Sequence, residues 1–465
     1  MSQQSQHVPT DRPQDRTLRE KIFASAKLSS LQFASAIGLR LISTVVLTRL
    51  LAPEIYGVFA VVLVYLYLLE MMSDLGLRSL ILTREGEVTP GFLSTCWSVS
   101  ILRGVLILLL SCIIAGVIGG LQGAEVFAQT SPYAADVLPW AIVGLGVATL
   151  LFGFESPGRF LREREMKFGR VTVVDLTRNV VTLLVVIGLA IYLRSVWALV
   201  IGQMVRSCLH VGLSFVAFPT PGLRLTMNRS DLAILIDRGK WILGQSTLTA
   251  LSQSSDRVLL GLVMNSSTFG FYYIARQLTD MVPMFLQAMN GQMGMQVISR
   301  FKEQGLEVFR HNYYRYRLVF DGLAGLATGG IIVLAPLVVE IVFDDRYAGV
   351  APIMQVVVLA TLLTGPLIWR DVFNAERRFK VGTLSGLAAT ATLWVGLCLA
   401  VFVFDSVPMA LIVVALYRVP EVLLLLVLGR LEGWVSLRRE GLVLVFCALG
   451  AALGWGVLHV WNLIT

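Results

Sequence analysis

Apolar runs of roughly 20 residues, separated by short polar stretches, recur from Leu28 almost to the end of the chain. A helix of that length crosses a hydrocarbon core of about 30 Å. The pattern predicts an all-α polytopic membrane protein with about 13 transmembrane helices, within a range of about 12 to 14. The spans fall at roughly 28–50, 55–83, 91–120, 137–155, 171–193, 196–218, 241–263, 268–298, 316–343, 350–372, 382–404, 408–430 and 440–463. A membrane β-barrel would show short alternating segments instead. The first run exceeds the 7–15 residues typical of a signal-peptide core and lacks a small-residue cleavage site, so it reads as an uncleaved first helix.

The spans divide by a repeat. The first opens at Gln32 and ends in the turn T-R-L-L-A-P-E-I-Y-G-V-F, and a second copy opens at Gln245 and ends in N-S-S-T-F-G-F-Y-Y. Gln245 follows Gln32, and Gly270 follows Gly57, by the same 213 residues (245 minus 32, 270 minus 57). Pro352 repeats Pro139 at that offset, F-N-A-E-R-R-F-K-V-G from Phe373 repeats F-L-R-E-R-E-M-K-F-G from Phe160 at the same offset, and Arg418 pairs with Arg206 at 212. Chance likeness of apolar segments would not hold one offset through polar loops. The expected organisation is a cytoplasmic N-terminal tail (1–27), an N-lobe of six helices (28–218), a cytoplasmic linker (219–240), a C-lobe of six helices (241–430) and an extra C-terminal helix (431–465). An offset of six spans keeps both repeats in one orientation, which predicts two parallel lobes about a central cavity.

Composition agrees with the pattern. Hydrophobic residues make up 56%, charged residues 15%, and the mean hydropathy is +0.75, whereas a soluble domain carries about 25% charged residues. The formal charge of +8 comes from lysines and arginines in alternate connections, among them the N-terminus, Arg159 to Arg170, Arg224 to Lys240 and Arg430 to Arg439. Such asymmetry marks the cytoplasmic side, so the N-terminus is expected inside, and nucleic acid is not an expected partner. The five cysteines and four histidines show no metal-ligand spacing. Gly239-Lys240 is followed by Trp241, which excludes a P-loop. No metal, cofactor or catalytic residue is assigned.

Polar groups inside the spans are the candidate chemistry, because an ionisable residue in hydrocarbon must face protein or water. Ser29, Gln32, Ala36, Arg40 and Ser43 form one stripe of the first helix, and Gln245, Thr249, Gln253 and Arg257 form another in its second copy. Arg206 and Arg418 occupy matching places in the last helix of each repeat. The candidate substrate-binding set is Arg40, Arg206, Arg276, Arg418, Gln32, Gln245 and Gln253; Glu70, Asp74 and Asp280 are candidates for ion coupling or counter-charge. Each has a plainer reading as helix glue or an intramembrane ion pair, strongest for Arg276 and Asp280 at i, i+4. The pairs Gly116/Gly120, Gly325/Gly329 and Gly450/Gly454 read as close helix contacts.

The turn R-L-L-A-P-E-I-Y-G-V-F at Arg49 to Phe59, D-L-G-L at Asp74 to Leu77 and E-R-E-M-K-F-G at Glu163 to Gly169 resemble the polysaccharide-transport, Wzx-type oligosaccharide flippases of the MATE-like superfamily. That resemblance implies two six-helix lobes, often with two further helices, and a cationic cavity. It also implies transfer of undecaprenyl-diphosphate-linked oligosaccharide across a bacterial inner membrane by alternating access, for exopolysaccharide, O-antigen or capsule. Membrane lipids and a polysaccharide polymerase or export machinery are the partners it implies. The competing functions are a cation-coupled multidrug exporter of the same superfamily and, from another class, a membrane glycosyltransferase or polymerase. The latter would need a substantial outer loop with catalytic charges, and Leu121 to Leu138 carries only Glu125 and Asp136.

Overall fold

The computed structural model describes residues 35–464, apart from 85, 166–167 and 291–304. Among the described residues the regular structure is helical throughout, with no strand. The main helices are α1 (residues 35–50), α2 (Pro53–Met72), α3 (Leu77–Thr83), α4 (Pro90–Gly123), α5 (Val137–Phe152), α6 (Gly158–Arg164), α7 (Phe168–Leu193), α8 (Val196–Ala217), α9 (Arg229–Val263), α10 (Ser266–Thr279) and α11 (residues 281–290). They continue as α12 (Leu306–Val342), α13 (Val350–Val357), α14 (Trp369–Ala375), α15 (Phe379–Cys398), α16 (Val407–Leu416), α17 (Val419–Leu431), α18 (Leu437–Glu440) and α19 (Leu442–Ile464).

Among the described residues, nine helices or helix runs are long and apolar enough to cross a membrane. Helix also occupies the four other expected segments as far as they are described, but by different margins. The first begins at the edge of the described residues, α5 has 16 residues, α10 has 14, and α9 opens with Arg229, Asp231, Asp237, Arg238 and Lys240. Among the described residues, length and apolarity alone therefore pick out nine spans, and the count of thirteen is not confirmed.

The chain forms two compact units, and the division between them falls within helices. One holds the residues up to Ser43 with Leu66–Gly116 and Pro139–Leu248; the other holds Thr44–Tyr65, Val117–Leu138 and the chain from Thr249 onward. In the first unit, D-L-G-L makes a turn and not a helical stripe. The α2 helix stops at Met72, the Asp74 carboxylate accepts from Gly76 N at 2.9 Å, and Gly76 sits at φ 64°, where a side chain is strained. A Cβ there would also meet Ile242 Cδ1 at 2.4 Å. Asp74 thus lies beyond the end of the helix that carries Glu70.

In the second unit, the two repeat-matched turns touch backbone to backbone. A Cβ on Gly57 would lie 2.0 Å from the carbonyl oxygen of Ser266, and one on Gly270 would lie 2.1 Å from that of Pro53. Ser266 is the repeat counterpart of Pro53 (266 minus 53 is 213), so the two contacts are images of one another. Between them Ser267 Oγ donates to its own counterpart, Glu54. Nearby, Tyr347 OH donates to Leu51 O at 2.7 Å and Arg346 Nη2 to Arg49 O at 3.2 Å. Arg346 also donates to the Asp344 carboxylate at 2.9 Å, which holds that carboxyl below its usual range.

The C-terminal α19 packs on α12 by the same device. Cβ atoms on Gly329 and Gly450 would meet Cys447 O at 1.9 Å and Leu326 O at 2.4 Å, whereas nothing lies within 4 Å of Gly116 or Gly120. The small-residue pairs therefore mark helix contacts on α12 and α19 but not on α4. At one end of this pairing Arg317, 0% exposed, contacts Asp321 at 3.2 Å and Glu440 at 2.5 Å. Trp369 Nε1 and Tyr314 OH donate to Glu440 at 3.0 and 2.7 Å, so α12, α14 and α18 meet on one carboxylate.

Leucine in place of Gly57 would force the two turns apart. With cysteines at 54 and 267 joined by a short thiol crosslinker in membranes, Gly57→Leu is expected to cut the bridged fraction several-fold. Equal yields with and without leucine would contradict the backbone contact.

Candidate functional site

The sequence-derived candidates separate into three groups. Gln32 lies outside the described residues. Arg40, Glu70, Asp74, Arg206 and Gln245 belong to the first unit, and Gln253, Arg276, Asp280 and Arg418 to the second.

In the first unit, Arg40, Arg206 and Gln245 are exposed. Glu70 is partly buried, with its carboxylate 3.4 Å from Thr149 Oγ1. Its backbone oxygen, not its carboxylate, takes the hydrogen bond of Arg103 Nη2, at 2.6 Å. Arg103 Nε donates to Ser73 Oγ at 3.0 Å, so Arg103 braces the end of α2. Among the described residues, Arg206 has no carboxylate within ion-pair distance, 4.0 Å.

In the second unit, Arg276 is compensated. Its guanidinium is 3.4 Å from Asp280 and 4.0 Å from Asp256, and Arg257 approaches Asp280 at 3.9 Å. Tyr272 OH donates to the buried Asp256. The ion-pair reading therefore fits Arg276 and Asp280 better than a bare cavity charge does. Arg418 differs: its Nε donates to Tyr417 OH at 2.8 Å, its guanidinium lies 5.4 Å from that ring's centroid, and among the described residues no carboxylate is within ion-pair distance. Gln253 is exposed on α9. The two arginines matched by the repeat, Arg206 and Arg418, are thus candidates with no carboxylate at ion-pair distance among the described residues, although Asp175 and Glu70 attract Arg206 and Glu421 attracts Arg418 from further away.

A further group escaped the sequence reading. Glu155, Arg159, Glu163, Asp175, Arg178 and His210 gather at the ends of α5 to α8. Arg159 donates to both oxygens of Asp175 at 3.0 and 2.8 Å and contacts Glu163 at 3.3 Å, which also takes Arg78 at 2.7 Å. The spacings 159/163 on α6 and 175/178 on α7 place charges on single helix faces, and Glu155 joins them from the loop before α6. They were legible, but Arg159 to Arg170 reads first as a topology signal and His210 as an isolated histidine. Among the described residues no cluster of acidic, histidine and cysteine groups is suited to a metal.

Comparison with known proteins adds the following. The family model described as "Polysaccharide biosynthesis protein" matches residues 46–352. The "Lipopolysaccharide biosynthesis protein WzxC" of Escherichia coli (strain K12) is 22% identical over 75% of this chain and 68% of its own length. Among solved structures, the lipid II flippase MurJ in an inward closed conformation matches with a TM-score of 0.68 at 10% identity, over 95% of this chain and all of its own. An inward-facing multidrug-resistance MATE transporter of the MOP superfamily matches at 0.64 and 13% identity, over 86% of this chain and 94% of its own. The MATE-like fold expected from the sequence is the fold observed.

The difference between compensated and uncompensated arginines is measurable. Arg276→Gln removes the guanidinium shared by Asp256 and Asp280, leaving Asp280 only Arg257 at 3.9 Å, and is expected to cost about 3 kcal/mol of stability. Arg206→Gln and Arg418→Gln orphan no carboxylate and are expected to stay within about 1 kcal/mol of the wild type. Thermal unfolding of the three variants in detergent checks the ranking.

Proposed function

The chain belongs to this family of polysaccharide biosynthesis proteins, and on that premise we propose that it is a flippase for lipid-linked oligosaccharide. It is a transporter and not a catalyst. The substrate is an oligosaccharide on undecaprenyl diphosphate, moved from the inner to the outer leaflet of a bacterial inner membrane with the N-terminus in the cytoplasm. The two six-helix repeats, 28–218 and 241–430, alternate access to it, with 1–27, 219–240 and 431–465 outside that core.

The observation that carries this reading is the pair Arg206 and Arg418. They fall at matched places in the repeats, and among the described residues neither has a carboxylate within ion-pair distance. An arginine inside a membrane protein with no carboxylate at ion-pair distance faces a polar cavity, where it can meet an anionic ligand. A diphosphate is such a ligand, and guanidinium is well suited to phosphate oxygens. Arg40, Gln245 and Gln253 are exposed polar groups that fit contacts to the sugar, while Arg276 and Asp280 serve as a structural pair. A polymerase or export complex that takes up the flipped unit is the expected partner.

The energetics need no nucleotide. With the cell interior negative, carrying two negative charges outward is favoured by about 4.6 kcal/mol at 100 mV, twice about 2.3.

In proteoliposomes containing undecaprenyl-diphosphate oligosaccharide, Arg206→Gln and Arg418→Gln are each expected to slow flipping by about tenfold or more. Collapsing the membrane potential is expected to slow the wild type. Unchanged rates in both variants would remove the arginines from the mechanism. Drug efflux by the protein without any flipping would favour the multidrug exporter instead.

A further inference from the structure

His210, on α8, is 3% exposed, and its ring lies flat against Phe152 at 4.4 Å between centroids. Its Nδ1 is 2.6 Å from Arg178 Nη1. A guanidinium can only donate, so this contact asks Nδ1 to accept, the arrangement that a neutral imidazole with its proton on Nε2 supplies. Nε2 is 2.8 Å from Glu155 Oε1. Glu155 is in turn 3.7 Å from Arg159, Arg159 holds Asp175 at 2.8 Å, and Asp175 is 3.1 Å from Arg178. The five side chains close a ring with two guanidiniums, two carboxylates and one neutral imidazole.

We propose that His210 is a proton-binding site that operates the joint between α7 and α8. A proton taken from water onto the Nδ1 lone pair removes the acceptor that Arg178 uses and sets two cations 2.6 Å apart. The ring goes from charge-balanced to one positive charge in excess, and Arg178 turns away toward Asp175 and Asn179, whose oxygens it already contacts at 3.1 Å. The groups facing the imidazole pull in opposite directions. Glu155 from the loop after α5, Glu163 from α6 and Asp175 from α7 favour the proton; Arg159 from α6, Arg178 from α7 and Arg206 on α8 itself oppose it. Arg178, the group in direct contact, is also the one that must move, so proton binding and loosening of the joint are a single event.

The repeat argues that this ring is more than packing. At the offset of 213, positions 155, 175 and 178 correspond to Ile368, Ala388 and Ala391, and at the offset of 212 that pairs Arg206 with Arg418 on the last helix, position 210 corresponds to Val422. The second repeat carries apolar residues at those places, in the turn before α14 and on α15 and α17, so the fold does not require charges there. On the flippase reading, on which only this consequence rests, the proton adds positive charge near Arg206 and favours a diphosphate at that site.

Histidine resonances of the full chain, labelled with 13C and 15N and held in detergent, read the site directly, with His210 assigned by its absence in His210→Gln. At pH 8 the neutral Nε2–H form is expected. Arg178→Gln is expected to raise the proton affinity of His210 at least tenfold, whereas Arg178→Lys, which keeps the cation, stays near the wild type. An Nδ1–H tautomer at pH 8, or a titration unmoved by Arg178→Gln, overturns the proposal. Glutamine at 210 can still accept from Arg178 and donate to Glu155, so His210→Gln keeps the ring. Hydrogen–deuterium exchange over residues 168–217, corrected for intrinsic rates, is expected to rise on acidification in the wild type and not in His210→Gln; an equal rise in both overturns it as well. Neither readout uses transport, so failure here leaves the flippase reading standing, and absence of flipping leaves the proton site standing.

Discussion

Removing a charge from water costs several kcal/mol, and the structure is arranged around how each such cost is met. In the second unit it is met locally, by Arg276 with Asp256 and Asp280 and by Arg317 with Asp321 and Glu440. In the first it is met by a ring that links α6, α7, α8 and the loop after α5 through Arg159, Asp175, Arg178, His210 and Glu155. Among the described residues Arg206 and Arg418 have no carboxylate at ion-pair distance and are reached by Asp175, Glu70 and Glu421 only from further away.

Backbone contact is the second constraint. Helices in lipid gain no hydrophobic driving force from each other, so close approach through glycine and hydrogen bonds to carbonyls must hold them. Gly57 and Gly270 let their turns meet as mirrored contacts, and Gly329 and Gly450 do the same for α12 and α19. In the first case the repeat supplies both halves of the contact. In the second it does not, since α19 has no counterpart in the first repeat, and the Arg317, Glu440 and Trp369 network secures its approach instead.

Much of the fold was legible because its signals are local in the chain. Apolar runs, alternation of basic connections and the offset of 213 indicated a helical membrane protein of two repeats, and the motifs at Arg49–Phe59, Asp74–Leu77 and Glu163–Gly169 pointed to the family whose model matches 46–352. The candidate site was legible only in part. Asp74 fits a helical stripe by spacing, yet Gly76 two residues on takes a left-handed conformation and the helix ends before it. Glu70 was a reasonable partner for an arginine, but Arg103 reaches its carbonyl oxygen instead.

By itself the sequence determined that the chain lives in a membrane, that motifs of its first half recur in the second at a near-constant spacing, and which arginines match across the repeat. These follow from the period of apolar residues and from register, which one dimension carries. Only the tertiary structure decided which charges are neutralised, because a salt bridge such as Arg317 to Glu440 joins residues 123 apart and spacing says nothing of such a meeting. It likewise decided that a guanidinium approaches the Nδ1 side of His210, a meeting that spacing along the chain does not carry.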